Sequence, residues 1–464
     1  MEEPRKEKLD RLLAAGVNPY PARSEILNGR LSSSEIKKRY DSLAVAQESP
    51  DKVRIAGRMM TRRDMGKACF AHLQDGAGRI QIYVRKDVLG EAAFESFTKD
   101  LDLGDWLGAE GLVFRTKTGE ISIRAEKIEL LSKALRPLPE KWHGLKDPEA
   151  RARQRELDLL SNEDSRAVFA SRSRIIQTLR TLLAARDYME VETPMMQQVP
   201  GGAVARPFET FHNALKQKFF LRVAPELFLK RCLVGGFEKV YEIGRVFRNE
   251  GIDTFHNPEF TILEAYEAYG NIDTMMDLTE YLVTGAAEAA GSDKCRKKPF
   301  ARRSIPELFK EYVGKDYTAF MDEHKAFDHA FDEKIVPHLT EPTFVTDFPA
   351  ELSPLAKLRA DNPRLTERFE LYVDGGEIAN AYSELNNSEE QRRRLVEYRK
   401  SRTQGSEKEE AEGMGLDESF IEALEYGMPP AGGLGIGVDR LVMLFTGQTS
   451  IRNVLLFPTL KKET

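Results

Sequence analysis

The order of patterns along this 464-residue chain predicts two folding units of α+β type: a small N-terminal β-barrel and a larger domain of strands and helices. Three observations carry that expectation. The length exceeds what one hydrophobic core ordinarily organises. Short alternating strands bounded by turns fill Val53 to about Leu131. After a proline-rich linker, helices alternate with long strands to the C-terminus.

Residues 1–50 read as a helical extension: a short helix from Lys8 to Ala15, a turn at Asn18-Pro19-Tyr20-Pro21, and a helical connector ending near Ser49-Pro50. Over 51–135, period-2 runs such as Val53–Gly57, Arg79–Val84 and Ile121–Arg124 are separated by turns at Asp75–Gly78 and Lys117–Glu120. One helical insertion, Val88–Phe97, interrupts them. That layout fits a Greek-key barrel, with the OB-fold as leading candidate. Residues 136–160 form a linker opening on Arg136-Pro137-Leu138-Pro139-Glu140-Lys141-Trp142, and 161–464 form the large domain. Within it, residues 400–415 (KSRTQGSEKEEAEGMG) are acidic and short of apolar side chains, the composition of an exposed, mobile loop.

Hydrophobic residues make up 41% and charged residues 31%, an ordinary globular balance. No apolar run approaches a membrane span, and MEEPRKEKLD lacks the apolar core of a secretion signal. Cys69, Cys232 and Cys295 are far apart with no C-x-x-C pair, which argues against a disulfide scaffold or zinc knuckle and for a reducing, cytoplasmic compartment. Net charge is -6, with basic residues slightly in excess over the first 150 residues and acidic ones thereafter. A polyanion could be guided by that first third, although ordinary variation between domains accounts for it equally well.

Four segments of the large domain carry candidate chemistry. From Ser173 a helix with Ile175, Ile176, Leu179, Leu182 and Leu183 on one face leads to a strand ending Val191-Glu192-Thr193-Pro194; alone it reads as a core helix. Val240–Tyr269 reads as a long hairpin whose second strand places Phe260, Ile262, Glu264, Tyr266 and Ala268 on one face. Arg248 and His256 bracket its loop, donors suited to phosphate oxygens; a surface hairpin with solvated charges fits the same pattern. In Gly432–Arg440, glycines on a strand permit close approach of a flat ligand, and Arg440 falls at a helix opening where an anion is favoured. The spacing is neither G-x-G-x-x-G nor Walker A. Lastly, Asn380, Tyr382 and Glu384 share a strand face, while Glu370 and Glu377 offer hard oxygens for Mg²⁺. Glu377 is out of parity with that face, so a turn or bulge must precede Asn380.

In this order the segments resemble motifs 1, 2 and 3 of the class II aminoacyl-tRNA synthetases, and most closely the class II lysyl-tRNA synthetases. The resemblance runs from about Lys8 to Leu460. It is carried by TRRDMGKACFAHLQD, RPLPEKWHGLKD, ETPMM, GGAVARPF, RVAPELFLKR, FRNEGID, HNPEF, YSELN, GLGIGVDR and IRNVLLFP. No H-x-G-H pair of the class I enzymes occurs.

The resemblance implies an OB-fold anticodon-binding barrel and a catalytic domain built on an antiparallel sheet with flanking helices. It implies ATP-dependent activation of L-lysine and transfer to the 3′ end of tRNA(Lys), with Mg²⁺ as cofactor and a homodimer formed through the catalytic domain near Pro194. Arg248 would hold the α-phosphate, Arg440 and His256 the β/γ end, and Phe260 would stack beneath adenine, with Glu250 and Asn257 completing the ATP site. Arg248 and Arg440 form the catalytic set, and Glu370 and Glu377 the metal set. Lysine would be held by Gly202, Glu226, Glu264, Tyr266, Asn380, Tyr382 and Glu384. Anticodon contacts would come from Arg62, Phe70, Gln81 and Glu120.

Independently of the family, Glu226, Glu264 and Glu384 place three carboxylates around a substrate with two ammonium groups, where an aspartate site would want Arg or Lys. Ala152 and Glu156 stand where the family usually has aromatic residues, and Glu267 where it usually has Met; Glu267 is expected on the strand face opposite Glu264. Rival readings are a paralogue that lysylates a protein, which would lack the barrel, an aspartyl- or asparaginyl-tRNA synthetase, and a non-catalytic OB-fold RNA-binding scaffold.

Overall fold

The computed structural model describes residues 3–138, 145–203, 205–321, 324–402 and 416–462. Residues 403–415, most of the acidic loop read from the sequence, and 139–144 of the linker lie outside the described residues. Two compact units divide the chain, Met1–Gly144 and Leu145–Thr464.

In the first unit five strands close a barrel: β1 (Glu48–Asp64), β2 (Ala68–Gln74), β3 (Arg79–Arg85), β4 (Trp106–Arg115) and β5 (Ile121–Ser132), in the spatial order β1-β2-β3-β5-β4. Alternation decides which side chains fill it. Cys69, Ala71 and Leu73 of β2 and Ile80, Ile82 and Val84 of β3 are buried, while Phe70, His72, Gln81 and Tyr83 between them face out. The strand β4 bends where its register with β5 shifts between Glu110 and Gly111. There a Cβ on Gly111 would lie 1.9 Å from the Arg124 carbonyl oxygen, so only glycine fits.

The N-terminal helices Glu3–Ala14 and Ser33–Arg39 place Leu12, Ile36 and Tyr40 in the barrel's own core. They are built into this unit rather than appended to it. A capping box in which Ser32 and Glu35 exchange hydrogen bonds starts the second helix.

The second unit is organised by an eight-stranded sheet in the order β12-β13-β14-β15-β16-β11-β10-β6. The strands are β6 (Met189–Glu190), β10 (Lys239–Phe247), β11 (Glu259–Ala268), β12 (Ala301–Ser304), β13 (Thr343–Thr346), β14 (Arg368–Val373), β15 (Gly376–Ser383) and β16 (Ala431–Gly437). Only the outer pairs β12/β13 and β10/β6 are parallel. The strands β7 (Met196–Gln197), β8 (Glu209–His212) and β9 (Gln217–Leu221) make a separate small sheet.

One face of the large sheet is covered by the helices Glu163–Ala184, Ile272–Ala290 and Val438–Thr446. Ile175, Leu179 and Leu183 meet Leu263, Ala265, Leu282 and Leu434 in one continuous core, each such side chain stabilising by ~1.5–3 kcal/mol relative to exposure. The strand expected to reach Pro194 is shorter: it pairs only over Met189–Glu190, after which Thr193 donates its hydroxyl to Glu242 at 2.6 Å.

Candidate active site

The face of the large sheet opposite those helices carries a cleft of about 360 Å³. Its floor follows from register. The glycine strand β16 lies between β11 and β15 and pairs antiparallel with both. Gly435 sits between Glu264 and Asn380, and Gly433 between Tyr266 and Tyr382. Two polar walls therefore face one another across a strip with no side chains. The close approach is real at Gly433, where a Cβ would lie 1.9 Å from Glu384 Oε1 and 2.6 Å from the Tyr266 ring. Gly202 and the helix Glu226–Val234 close the end, with Glu226 in the first turn.

The carboxylates of this end are buried. Glu264 is held well above the usual carboxylate range, by burial first and by the charge of Glu226 second. Tyr266 donates to Glu264 at 3.2 Å, and Tyr382 donates to Glu226 at 2.7 Å. Glu384 is pushed up to about 8, again chiefly by burial.

The sequence reading missed Lys230. Wholly enclosed, its ammonium lies 2.5 Å from both Glu226 and Glu384 and 5.5 Å from the Tyr382 ring centroid. Burial opposes the Lys230 charge, and the two carboxylates more than offset it. Glu384 is thus sealed against Lys230 and Gly433 and does not line the cleft, unlike the other six residues assigned to the amino acid. Lys230 offsets one of the three carboxylates, so full ionisation of the acids would leave two negative charges. The signal was available: Glu226 and Lys230 are one helical turn apart.

At the other end the residues expected around ATP converge. Arg248, leaving β10, stacks its guanidinium 5.0 Å from the Phe260 ring centroid, and its buried Nε has no hydrogen-bond partner. Burial lowers the pKa of Arg248, against the pull of Glu250 and Glu377. Arg440 donates to Glu377 at 2.9 Å and lies 3.4 Å from Nε2 of His256, whose Nδ1 meets Asp253 at 2.8 Å. Asn257 donates to the Glu259 carbonyl, and its buried Oδ1 is without a partner at the cleft. Asp439 accepts from the Thr261 amide at 2.7 Å and pairs with Arg172, tying the helix Glu163–Ala184 to the strand that bears the site.

Glu377 reaches this group through a bulge. The pairing of β14 with β15 runs Glu370 to Asn380 and Leu371 to Ala379, then shifts so that Tyr372 faces Glu377. That extra residue resolves the parity conflict read from the sequence. Glu370 lies behind the cleft wall, bonded to Arg368 at 2.5 Å and to Tyr372 at 2.7 Å. Burial and the nearby Glu377 raise it to about 7, with Arg368 pulling the other way. Two neighbouring carboxylates, each paired with an arginine, offer hard oxygens of the kind a cation shared with substrate phosphates takes. Among the described residues no group of three or more His, Cys, Asp or Glu is arranged to hold a metal alone.

On the outward face of the barrel, Phe70 stacks on Tyr83 with centroids 4.5 Å apart, and Gln81 and Glu120 meet at 3.1 Å. Arg62 is not part of that face. Its parity is that of Ala71, and its guanidinium donates to the carbonyls of Phe97 and Leu101. The neighbouring Arg63 pairs across the ladder with Phe70 and is exposed, so the arginine beside the aromatic is one residue further on.

Of the departures, Glu267 turns away from the cleft and bonds to Tyr188 and Lys239, Glu156 is exposed, and Ala152 is buried.

Comparison with known proteins agrees with this geometry. Residues 147–461 match the family described as tRNA synthetases class II (D, K and N), and residues 53–131 the OB-fold nucleic acid binding domain. A lysine–tRNA ligase of Pelotomaculum thermopropionicum is 49% identical over 98% of this chain and 94% of its own length. Those of Staphylococcus haemolyticus and Carboxydothermus hydrogenoformans are 47% and 48% identical, over 99% and 98% of this chain and 98% and 97% of their own lengths. The chain belongs to the class II tRNA synthetases of the D, K and N group, within the family of lysine–tRNA ligases.

Proposed function

We propose that the protein activates L-lysine with ATP and transfers it to the 3′ end of tRNA(Lys). The observation that carries this reading is the charge of the amino-acid end. Once a dication draws the acids into their ionised form, Glu226, Glu264 and Glu384 less Lys230 supply two negative charges for a substrate with two ammonium groups. An aspartate side chain would meet carboxylates where it needs cations, and the neutral amide of asparagine would leave their charge uncompensated.

In this reading Gly202, Glu226, Glu264, Tyr266, Asn380 and Tyr382 hold lysine, and Glu384 acts from behind them by pairing with Lys230. Its carboxylate oxygen attacks the α-phosphorus in line, the bond to the β-phosphate bridge breaks, and pyrophosphate leaves. The terminal 3′-hydroxyl then attacks the carbonyl carbon of lysyl-adenylate and AMP departs. Arg248 steadies the α-phosphate, Arg440 and His256 the β/γ end, and Phe260 stacks on adenine, with Glu250 and Asn257 completing the nucleotide contacts. No side-chain nucleophile is required; the rate comes from positioning and from charge complementarity. Glu370 and Glu377 would hold Mg²⁺, which supplies neutralisation of phosphate charge. In the barrel, Phe70, Gln81 and Glu120 contact anticodon bases, and Arg63 replaces Arg62 in that set.

A homodimer through the catalytic domain is supported by apolar exposure along one segment: Met189, Met195, Met196, Val199, Phe211 and Leu215 are each 37–59% exposed. A cytoplasmic setting is supported by three free cysteines. Among the described residues no helix is long and apolar enough to cross a membrane. The test is charging of bulk tRNA with labelled amino acids in the presence of ATP. Acid-precipitable lysine is expected; charging with aspartate or asparagine instead, or with nothing, overturns the reading.

A further inference from the structure

The outward barrel face carries a chain of side-chain hydrogen bonds that the anticodon contacts alone do not explain. Thr61 Oγ1 lies 2.8 Å from His72 Nδ1, and His72 Nε2 lies 3.0 Å from Glu120 Oε1. Gln81 Nε2 donates to Glu120 Oε2 at 3.1 Å, and Ser122 donates to Gln81 Oε1 at 2.9 Å. Thr61, His72 and Gln81 come from three neighbouring strands, Ser122 from β5, and Glu120 from the turn before it.

Hydrogen-bond chemistry gives this chain a direction. An ionised carboxylate only accepts, so His72 carries its proton on Nε2, and Nδ1 accepts from the Thr61 hydroxyl. Both Glu120 oxygens are then engaged, one by His72 and one by Gln81. The Gln81 amide orientation is set by Glu120, because a flip would turn its oxygen against the carboxylate, while the buried Ser122 hydroxyl could serve either end. One Gln81 N–H and one carbonyl lone pair stay free beside the stacked pair of Phe70 and Tyr83.

We propose that His72 is a positioning residue for RNA recognition: it fixes Glu120, and through it the Gln81 amide, so that a base stacked at Phe70 meets a donor and an acceptor in set places. This rests on the reading of the barrel face as the anticodon site. Single-stranded bases are read by such pairing of a stacking platform with fixed edge contacts. The half-exposed His72 contributes little to the barrel core, whose residues lie on the opposite face of β2.

The experiment compares His72→Ala, His72→Gln and Phe70→Ala in full-length protein. His72→Ala is expected to raise the KM for tRNA about tenfold, the size of one lost hydrogen bond to a charged group. Pyrophosphate exchange, the KM for lysine and thermal unfolding should be unchanged. The preference for the matching tRNA over one with a substituted anticodon should shrink. His72→Gln keeps an N–H that reaches Glu120 and should recover most of the loss. The inference is overturned if His72→Ala leaves the tRNA KM unchanged while Phe70→Ala raises it, or if His72→Gln is as impaired as His72→Ala. If Phe70→Ala has no effect, the anticodon reading itself falls and takes the inference with it.

Discussion

Arg248 shows how much one side chain can be asked to do. It leaves β10 half-buried, with its enclosed Nε unpartnered and its face on Phe260, an arrangement suited to an anion. Arg248→Ala removes a charge the fold does not pair. It should therefore lower pyrophosphate exchange by at least about a hundredfold, as lost oxyanion-type donors do, with no loss of thermal stability; near-normal exchange would strip the residue of its role. The acids at the other end make a pH prediction. In the ligand-free protein Glu384 stays protonated up to about 8, and Glu264 is also raised. Between the ordinary carboxylate range and about pH 8 the folded state thus binds more protons than the unfolded one, and ligand-free stability should fall as pH rises through that window. Bound lysine favours the ionised acids, so binding at pH 7 should release protons, measured by calorimetry in buffers of different ionisation enthalpy. Proton uptake, or none, would contradict the assignment. Most residues that line the cleft were legible one by one, because strand parity and charge suffice to place them on one face. Lys230 and Arg63 were not: one hides between two acids on a helix whose bounds were not drawn, and the other differs from Arg62 only by which face of β1 it takes.

At the level of elements, the glycine strand decides the site. β16 separates β11 from β15 by one strand's width, and its missing side chains leave the space in which the two polar walls face each other. Gly433→Ala would press a Cβ into Glu384 and the Tyr266 ring. It should raise the KM for lysine about tenfold or more, with a smaller effect on ATP, since overpacking by one methyl costs ~1–3 kcal/mol and acts here on the amino-acid end. Equal effects on both substrates in exchange kinetics would argue against that division. The hairpin β10/β11 and the helix that opens at Arg440 were readable from the sequence pattern, and the parity of Glu377 correctly called for a bulge. The two-residue extent of β6 was not readable, because Val191–Pro194 has strand composition but beyond Val191, whose amide still bonds to the Tyr241 carbonyl, Thr193 turns to the Glu242 side chain.

For the whole molecule, the two units each satisfy their own core, the N-terminal helices closing the barrel and three helices covering the large sheet. That the N-terminal helices pack into the barrel core was not legible, because amphipathic helices show a face in sequence but not what it packs against. The unburied apolar side chains of Met189–Leu215 call for a partner surface. If the proposed homodimer forms there, Phe211→Glu, at a residue 59% exposed, should shift sedimentation from dimer to monomer while leaving the barrel intact; an unchanged dimer, or an unaltered protein that already sediments as a monomer, would contradict that interface. Above all, the account depends on matching two net negative charges to a diammonium substrate. Amino-acid-dependent ATP–pyrophosphate exchange measured across all twenty amino acids tests that match most directly. The account predicts a profile led by lysine, with aspartate and asparagine at background; exchange led by any other amino acid, or absent with all of them, would contradict it.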